Sequence, residues 1–122
     1  MAQEKLTAEQ FQKKYGGAKT DKRRVKVANV ELRTVDGIVF DSATEARYYS
    51  EFKAAKDAGF IAFVLPQVMF RFPGGKWRCD FLLIYADGQV RVIDVKGYDT
   101  PESKRIRKIV EAFYGIEIEV WK

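Results

Sequence analysis

Apolar side chains recur at helical spacing in two long stretches of the chain, residues 42–58 and 100–114. The first stretch begins at Ser42, and Glu45 three residues later completes the pattern of a capping box. The second begins at Thr100, a residue type that caps helix N-termini, and a proline follows at the first helical position. A glycine comes after each stretch, as is typical of a helix end. The sequence therefore predicts two well-delimited helices.

The second helix is strongly amphipathic, because apolar and basic residues occupy different sides of it. We expect its apolar residues to face inward, namely Ile106, Ile109, Val110 and Phe113. We expect its basic residues to lie mainly on the outer surface, namely Lys104, Arg105, Arg107 and Lys108. This helix should therefore cover one face of a sheet with its apolar side.

Between and after the helices, runs of β-branched and aromatic residues predict strands at 67–72, 77–85, 89–96 and 116–120. Residues 60–65 form a further short apolar run, which Pro66 ends. From Ser42 onward the predicted order is α-β-β-β-α-β. Because the second helix connects the third strand to the fourth, we expect an α/β fold, with a mixed (α+β) sheet and helices on its faces.

The chain has an uneven charge distribution, and this divides it into two parts. Residues 1–34 carry nine Lys and Arg against four Asp and Glu, whereas residues 35–122 carry thirteen of each. The first part is therefore a basic N-terminal arm, densest at Lys19, Lys22, Arg23, Arg24 and Lys26. Such a segment can bind DNA phosphates without reading sequence, although a merely solvated tail has the same composition.

Within the arm, weaker patterns predict a short helix in residues 2–15, with Thr7 as its N-cap, and a flexible basic linker at 16–24. Residues 25–32 alternate loosely and predict a strand or extended arm. Asp36 and Gly37 then form a turn signal that predicts a hairpin closed by residues 38–40. The compact domain is expected to span residues 35–122.

Composition excludes several kinds of chemistry. The 122 residues contain no histidine, so His-based triads and His-ligated zinc are excluded, and any metal would have oxygen ligands, as Mg²⁺ or Mn²⁺ prefers. The single cysteine, Cys79, cannot form an intrachain disulfide. No apolar run approaches the ~20 residues of a membrane span, and the first residues do not resemble a signal peptide. We expect a soluble, cytoplasmic protein that does not enter a membrane.

A candidate site lies at the end of the predicted strand that contains Asp94 and Lys96. Side chains alternate in a strand, so these two residues share one face. Asp80 begins the preceding strand, and residues 86–88 connect the two strands. A three-residue loop there would pair Asp80 directly with Asp94, whereas a two-residue turn would place them on opposite faces. A metal site therefore requires the longer loop, with Gly88 in the left-handed conformation.

Each of these residues also has an interpretation without chemistry. Asp94 and Lys96 could form a surface ion pair, which typically contributes ~0–1 kcal/mol. Glu45 could serve as a helix cap and nothing more. Gln67 could simply satisfy a sheet edge. Two carboxylates directly opposite each other would, however, repel unless a cation neutralised them, which favours the metal interpretation.

The order of these residues and elements resembles the PD-(D/E)XK nuclease superfamily, and more closely a phage-associated family of small, uncharacterised nuclease-like proteins. The resemblance covers residues 35–122. It depends on shared segments, namely Val35–Ser42, the helix with Glu45, Gly59–Ile61, Gln67, Asp80-Phe81, Asp94–Gly97, Thr100, Lys104 and Tyr114–Ile116. Cys79 occupies the position where a proline often precedes the first aspartate, and that proline is commonly replaced.

The resemblance implies a restriction-endonuclease-like αβββαβ core in three layers and a site for Mg²⁺, with Mn²⁺ possible. Its ligands would be Asp80, Asp94, the Val95 backbone carbonyl and Glu45. Lys96 would orient or activate the attacking water, and Gln67 and Lys104 would support the site. Glu45, Asp80, Asp94 and Lys96 would thus be the catalytic residues.

The resemblance further implies an endonuclease that hydrolyses DNA phosphodiester bonds. Similar small phage proteins are Holliday junction resolvases, which suggests a homodimer acting on branched DNA in the host cytoplasm during phage DNA recombination. Three alternatives stay open. These are a general or nicking DNA nuclease, a non-catalytic DNA-binding module on a nuclease-like fold, and a small protein-interaction domain with incidental acids.

Overall fold

The computed structural model describes residues 7–15 and 30–122. Within them lie helices α1 (Ala8–Tyr15), α2 (Ala43–Asp57) and α3 (Pro101–Tyr114) and a short 3₁₀ helix at Val30–Arg33. The strands of the described residues are β1 (Thr34–Val35), β2 (Ile38–Val39), β3 (Ile61–Pro66), β4 (Met69–Phe72), β5 (Gly75–Arg78), β6 (Phe81–Tyr85), β7 (Val90–Val95) and β8 (Ile118–Trp121).

The two long helices begin and end where the sequence predicts. The Ser42 hydroxyl accepts the Glu45 backbone N–H at 3.1 Å, and the Thr100 hydroxyl accepts the Ser103 backbone N–H at 3.1 Å. Gly115 caps α3 in the left-handed conformation, with φ of 67°. The Ser42 and Thr100 hydroxyls satisfy N–H groups that the first turn of a helix leaves without a partner, and the Gly115 N–H donates to the Glu111 carbonyl in the last turn of α3. Both predicted helices are therefore confirmed.

The central sheet has the strand order β3-β6-β7-β8. Its first two pairings, β3 with β6 and β6 with β7, are antiparallel, and β7 pairs with β8 in parallel. A parallel pair needs a crossover connection, and α3 supplies it. The predicted mixed sheet with α-helices is therefore confirmed.

The order of strands differs from the prediction in one respect. The apolar run that begins at Ile61 is itself the first strand of the sheet, and residues 69–72 leave the sheet. They pair instead with Gly75–Arg78 and form a separate hairpin, which we call the β4–β5 ribbon. The predicted strand 77–85 is thus wrong as one element, because it is split at Cys79 and Asp80. Gln67 has a positive φ of 55°, so the chain turns away from the sheet there, which alternation of side chains does not reveal.

Two apolar cores lie on opposite faces of the sheet. One packs α2 against odd-numbered sheet residues, including Phe81, Leu83 and Ile93. The other packs Val110 of α3 and the β4–β5 ribbon against Val92. Side chains of successive strand residues point to opposite faces, so even-numbered residues of β7, among them Asp94, face α3. The helices and the sheet therefore form three layers.

Helix α1, which lies in the predicted basic arm, packs onto the first core. Thr7 caps it as predicted, since its hydroxyl accepts the Gln10 backbone N–H at 3.2 Å. Phe11 is 1% exposed and lies 4.9 Å from Phe52, centroid to centroid. The helix predicted for residues 2–15 is observed from Ala8, and residues 2–6 lie outside the described part. At least one helix of the arm is thus part of the packed structure.

Three other predictions can be compared with the structure. The hairpin around Asp36 and Gly37 is confirmed by the pairing of β1 with β2. The extended conformation predicted for residues 25–32 is wrong at Val30–Leu32, which are 3₁₀-helical, and residues 25–29 lie outside the described part, as does the predicted linker at 16–24. Among the described residues, no helix has both the length and the apolar character needed to cross a membrane.

Helix α3 is rotated slightly relative to the predicted orientation. Phe113, expected to face inward, is 54% exposed, and Arg107, expected on the surface, is 6% exposed. Arg107 and the buried Val110 are three residues apart and share one side of the helix. Arg107 is buried there because acidic residues from elsewhere in the chain meet it, which the local pattern of apolar residues does not reveal.

Candidate metal centre

The hairpin between β6 and β7 sets the geometry of the candidate site. Its register pairs Phe81 with Ile93 and Ile84 with Val90, which leaves a three-residue loop at 86–88. Gly88 in that loop has φ of 90°, a conformation that side chains other than glycine rarely adopt. Just beyond the last pair the ladder becomes irregular, and the Asp80 side chain lies in hydrogen-bond contact with that of Asp94. The predicted loop length and glycine conformation are therefore confirmed. The two aspartate side chains lie side by side, but Asp80 lies outside the regular strand pairing.

Asp80 lies where the β6–β7 ladder ends. Its backbone N–H donates to the Ile93 carbonyl at 3.2 Å, and its carboxylate accepts the Val95 backbone N–H at 2.6 Å. The Asp80 carboxylate thus accepts the Val95 N–H, which a backbone carbonyl would accept if the strand pairing continued. Because the N–H and C=O of one residue in an extended strand point to the same side, the Val95 carbonyl also faces Asp80.

Two further carboxylates approach Asp80 from the start of α2. Asp41, Glu45 and Asp80 each place one carboxylate oxygen within 4.8 Å of the other two. Glu45 is 6% exposed, and its Oε2 atom has no hydrogen-bond partner among the described residues. Ser42 caps the helix through the Glu45 backbone N–H, and the Glu45 carboxylate both accepts a backbone hydrogen bond at Asp41 and contributes an oxygen to this cluster.

Asp94 has a different environment from these three residues. Its Oδ2 atom lies 3.7 Å from Lys96 Nζ and 3.4 Å from Arg107 Nη1. Arg107 also donates to both oxygens of Asp99, at 2.9 Å from Nη1 to Oδ1 and through Nη2 to Oδ2. Asp94, at 1% exposure, is thus a buried carboxylate with cations on the α3 side and Asp80 beside it.

The crowding of carboxylates changes how readily they ionise. Burial, a hydrogen bond with Asp94 and the negative charge of Glu45 raise the pKa of Asp80 to about 8. Burial and the charge of Asp41 also raise the pKa of Glu45. On the other side of the site, Arg107 lowers the pKa of Asp99. Without a cation, the surroundings of Asp80 and Glu45 therefore disfavour the charged forms of these two carboxyls.

These residues fit a hard divalent cation. The donors are carboxylate oxygens and one backbone carbonyl, which are the ligands that Mg²⁺ and Mn²⁺ prefer. The buried Glu45 Oε2 without a partner is the observation that favours such an ion, because burying a charged oxygen alone costs free energy. Asp80 and Glu45 converge in this cluster, whereas Asp94 lies beside it and contacts Lys96 and Arg107.

The other predicted residues lie at varying distances from the centre. Gln67 is adjacent through its backbone, since its N–H donates to the Asp80 carbonyl at 2.9 Å. Lys104 is exposed on α3, and its charge contributes to the lowered pKa of Asp99. The predicted DNA-binding residues of the arm lie outside the described residues, namely Lys19, Lys22, Arg23, Arg24 and Lys26.

Three residues of this neighbourhood were not predicted as part of a site, namely Asp41, Asp99 and Arg107. Asp41 immediately precedes the N-cap and lies four residues before Glu45, and this spacing could have suggested it. The spacing of Asp99 and Arg107, eight residues apart across a helix start, gives no comparable signal. Their proximity to Asp94 follows from the packing of α3 on the sheet.

The fold and the site define an α+β protein with a cluster of three carboxylates, two of them buried, at one end of a mixed sheet. A family model described as "Protein of unknown function (DUF1064)" matches residues 26–121, and the chain belongs to this family. Searches of curated proteins and of solved structures gave no significant match. The matched range contains the whole carboxylate cluster and the residues around Asp94.

Proposed function

We propose that this protein is a Mg²⁺-dependent endonuclease that hydrolyses DNA phosphodiester bonds, with Mn²⁺ as a possible substitute. One observation carries the proposal. The Asp80 and Asp94 side chains are in contact at the end of two paired strands, Lys96 lies beside Asp94, and the Glu45 carboxylate, whose Oε2 atom has no hydrogen-bond partner, approaches Asp80. This combination of acids and a lysine suits phosphoryl transfer, in which a cation and a nearby amine stabilise negative charge.

The element order supports the same proposal. Without the β4–β5 ribbon, the chain from α2 to β8 runs α-β-β-β-α-β, with α2 and α3 on opposite faces of the sheet. This is the order of the restriction-endonuclease-like core that the sequence resembles. We therefore assign the protein a PD-(D/E)XK core in which the β4–β5 ribbon is an insertion between the first and second strands of the sheet.

Each side chain has a defined part in this proposal. Asp80 and Glu45 would hold Mg²⁺ together with the Val95 carbonyl, with Asp41 at the exposed side of the cluster and Asp94 beside it. When bound, Mg²⁺ would act as a Lewis acid toward the phosphodiester. Lys96 would orient a water for attack on phosphorus and donate a hydrogen bond to the developing negative charge. Arg107 would fix the position of Asp94.

The preferred substrate under this proposal is branched DNA, such as a Holliday junction, cut by a homodimer in the cytoplasm of a phage-infected host. A symmetric dimer would present two sites to a four-way junction. The described residues contain no helix-turn-helix or zinc finger that could read bases, so recognition would depend on DNA shape and phosphates.

A cleavage assay on a four-way junction, a linear duplex and a single strand tests this proposal. Each DNA is incubated with Mg²⁺, Mn²⁺ or a chelator, and wild type is compared with Asp94→Asn and with Asp57→Asn, an exposed aspartate at the end of α2. We expect metal-dependent cutting, lost in Asp94→Asn and retained in Asp57→Asn. Cutting of the junction alone would identify a resolvase, and cutting of all three DNAs a general nuclease. Tight binding without cutting by wild type would replace the proposal with a DNA-binding module.

A further inference from the structure

The β4–β5 ribbon has one packed face and one exposed face. On the packed face, Phe70 lies opposite Trp77, and their ring centroids are 5.8 Å apart. Tyr114 of α3 packs against Phe70 at 5.2 Å, and its hydroxyl accepts the Arg71 backbone N–H at 3.1 Å. The ribbon is therefore held on α3 in a fixed orientation.

The exposed face of the ribbon is basic. Met69, Arg71, Lys76 and Arg78 alternate with the packed residues and are all exposed. Arg71 lies directly opposite Lys76, and Met69 lies opposite Arg78. Like charges directly opposite each other destabilise a strand pair. The repulsion between Arg71 and Lys76 therefore lowers the stability of the ribbon.

No acidic residue of the surrounding segment neutralises this pair. Residues 58–79 contain neither Asp nor Glu. Among the ion pairs of the described residues, Arg71 and Lys76 have no acidic partner within 4.0 Å. Their charges are thus directed to solvent, where an anionic ligand can approach them.

The basic face begins at the carboxylate cluster. Arg78 Nη2 lies 2.8 Å from Asp41 Oδ2, and Arg78 is two residues before Asp80 in the chain. The pair formed by Arg71 and Lys76 lies two residues further along the ribbon, roughly 7 Å at the usual rise of a strand. One strand of a duplex presents about two phosphates over that length.

We propose that the exposed face of the β4–β5 ribbon binds the sugar-phosphate backbone of the nucleic acid that enters the site, with Arg71 and Lys76 contacting phosphates. The choice of nucleic acid as partner rests on the proposed function. Charge and geometry favour it over a membrane, because a membrane-binding surface usually has about four to eight basic residues or a broad apolar face. The ribbon face has three cations and a single apolar side chain, Met69.

The test measures DNA binding by the full chain in the presence of a chelator, so that cleavage does not contribute. The variant is Arg71→Gln combined with Lys76→Gln. Its matched control is Lys53→Gln combined with Lys56→Gln, which removes the same charge from α2 on the other side of the sheet. The equilibrium constant for a labelled duplex is measured over a series of salt concentrations, and urea unfolding verifies that each variant is folded.

We expect the ribbon variant to bind at least tenfold more weakly and to reduce the slope of log K against log salt by about 0.9 for each lost phosphate contact, hence by roughly 2. The control should keep the wild-type slope to within about 0.5. The swap Arg71→Lys with Lys76→Arg should restore binding, since it preserves both charges. A slope unchanged in the ribbon variant, or reduced equally in the control, would overturn the inference.

A second arm distinguishes other anionic partners. Vesicles with anionic headgroups replace the duplex, and binding of vesicles but not DNA that depends on Arg71 and Lys76 would also overturn the inference. The outcome is independent of catalysis. If DNA binding depends on Arg71 and Lys76 but no metal-dependent cutting occurs, the proposed nuclease activity is wrong and the inference about the ribbon stands. If the protein cuts DNA but its binding does not depend on these two residues, the nuclease activity stands and the inference about the ribbon is wrong.

Discussion

The Arg107 guanidinium lies 3.4 Å from the Asp94 carboxylate, and both side chains are buried between α3 and the sheet. The same guanidinium holds Asp99 through two hydrogen bonds. Arg107 therefore connects a strand residue of the candidate site to the loop that leads into α3. Its position gives Asp94 a fixed counter-charge in the absence of any metal.

Replacing Arg107 by Met should destabilise the fold by about 3 kcal/mol or more, because the buried Asp94 carboxylate would lose its closest cation. Urea unfolding in a chelator measures this loss. Addition of Mg²⁺ should recover more stability in the variant than in wild type, since a cation near Asp94 would replace the lost charge.

Arg105→Met is the matched control for that experiment. Arg105 is two residues away on α3, and it pairs with Glu102 on the exposed side of the helix. We expect its unfolding midpoint to stay close to that of wild type. If Arg107→Met and Arg105→Met have equal stabilities, Arg107 does not supply the counter-charge of Asp94.

The second prediction concerns how the stability of the fold depends on pH, because the pKa of Asp80 is raised. Between the ordinary aspartate value of 3.8 and about 8, the folded protein keeps a proton on Asp80 that the unfolded chain has released. Stability should therefore fall as the pH rises through this range in a chelator. Asp80→Asn should flatten the decline, and Mg²⁺ should oppose it in wild type, because the ion competes with the proton. Urea midpoints over the pH range, with Asp57→Asn as control, measure these effects. A wild-type decline that persists unchanged in Asp80→Asn would assign it to other groups.

Glu45 can be separated from the helix cap by two substitutions. Glu45→Gln removes the charge of a buried carboxylate whose Oε2 atom has no partner, so without metal it should be at least as stable as wild type at neutral pH. It should also lose most of the stabilisation that Mg²⁺ gives wild type. Ser42→Ala, by contrast, should cost about 1 kcal/mol through the lost cap and retain the response to Mg²⁺. Thermal unfolding with and without Mg²⁺ compares the two variants, and an undiminished Mg²⁺ response in Glu45→Gln would exclude Glu45 as a ligand.

The sequence was sufficient to predict that Asp80 and Asp94 lie close together, because a hairpin loop fixes register and register fixes faces. The irregular backbone at Asp80 was not predictable in this way. The helix caps at Ser42 and Thr100 were equally local and equally accessible. The sequence did not predict that β4 leaves the sheet, because a strand with alternating side chains can pair in a separate hairpin as readily as in the central sheet. The burial of Arg107 likewise depends on Asp94 and Asp99, which lie outside α3, so the pattern of apolar residues within α3 does not reveal it.

The loop that sets this register gives a fourth prediction. Gly88→Ala should cost about 1 kcal/mol, because alanine is strained at a φ of 90°, and the response to Mg²⁺ should persist. Deletion of Ala86 should shift the strand register by one residue and place Asp80 and Asp94 on opposite faces. The deletion variant, where it folds by circular dichroism, should therefore show no stabilisation by Mg²⁺. A normal Mg²⁺ response in that variant would mean that the pairing of the two aspartates is not needed for metal binding.

The last prediction concerns Lys96, which is partly exposed and 3.7 Å from Asp94. Because Arg107 also faces Asp94, Lys96→Ala should leave the unfolding midpoint nearly unchanged. If Lys96 stabilises charge on the phosphate, single-turnover cleavage should fall by about a hundredfold or more, while DNA binding in a chelator should not change. Lys108→Ala, which removes an exposed lysine from α3, should cleave at the wild-type rate. A Lys96→Ala protein that cuts as fast as Lys108→Ala would remove Lys96 from the chemistry and leave it as a surface partner of Asp94.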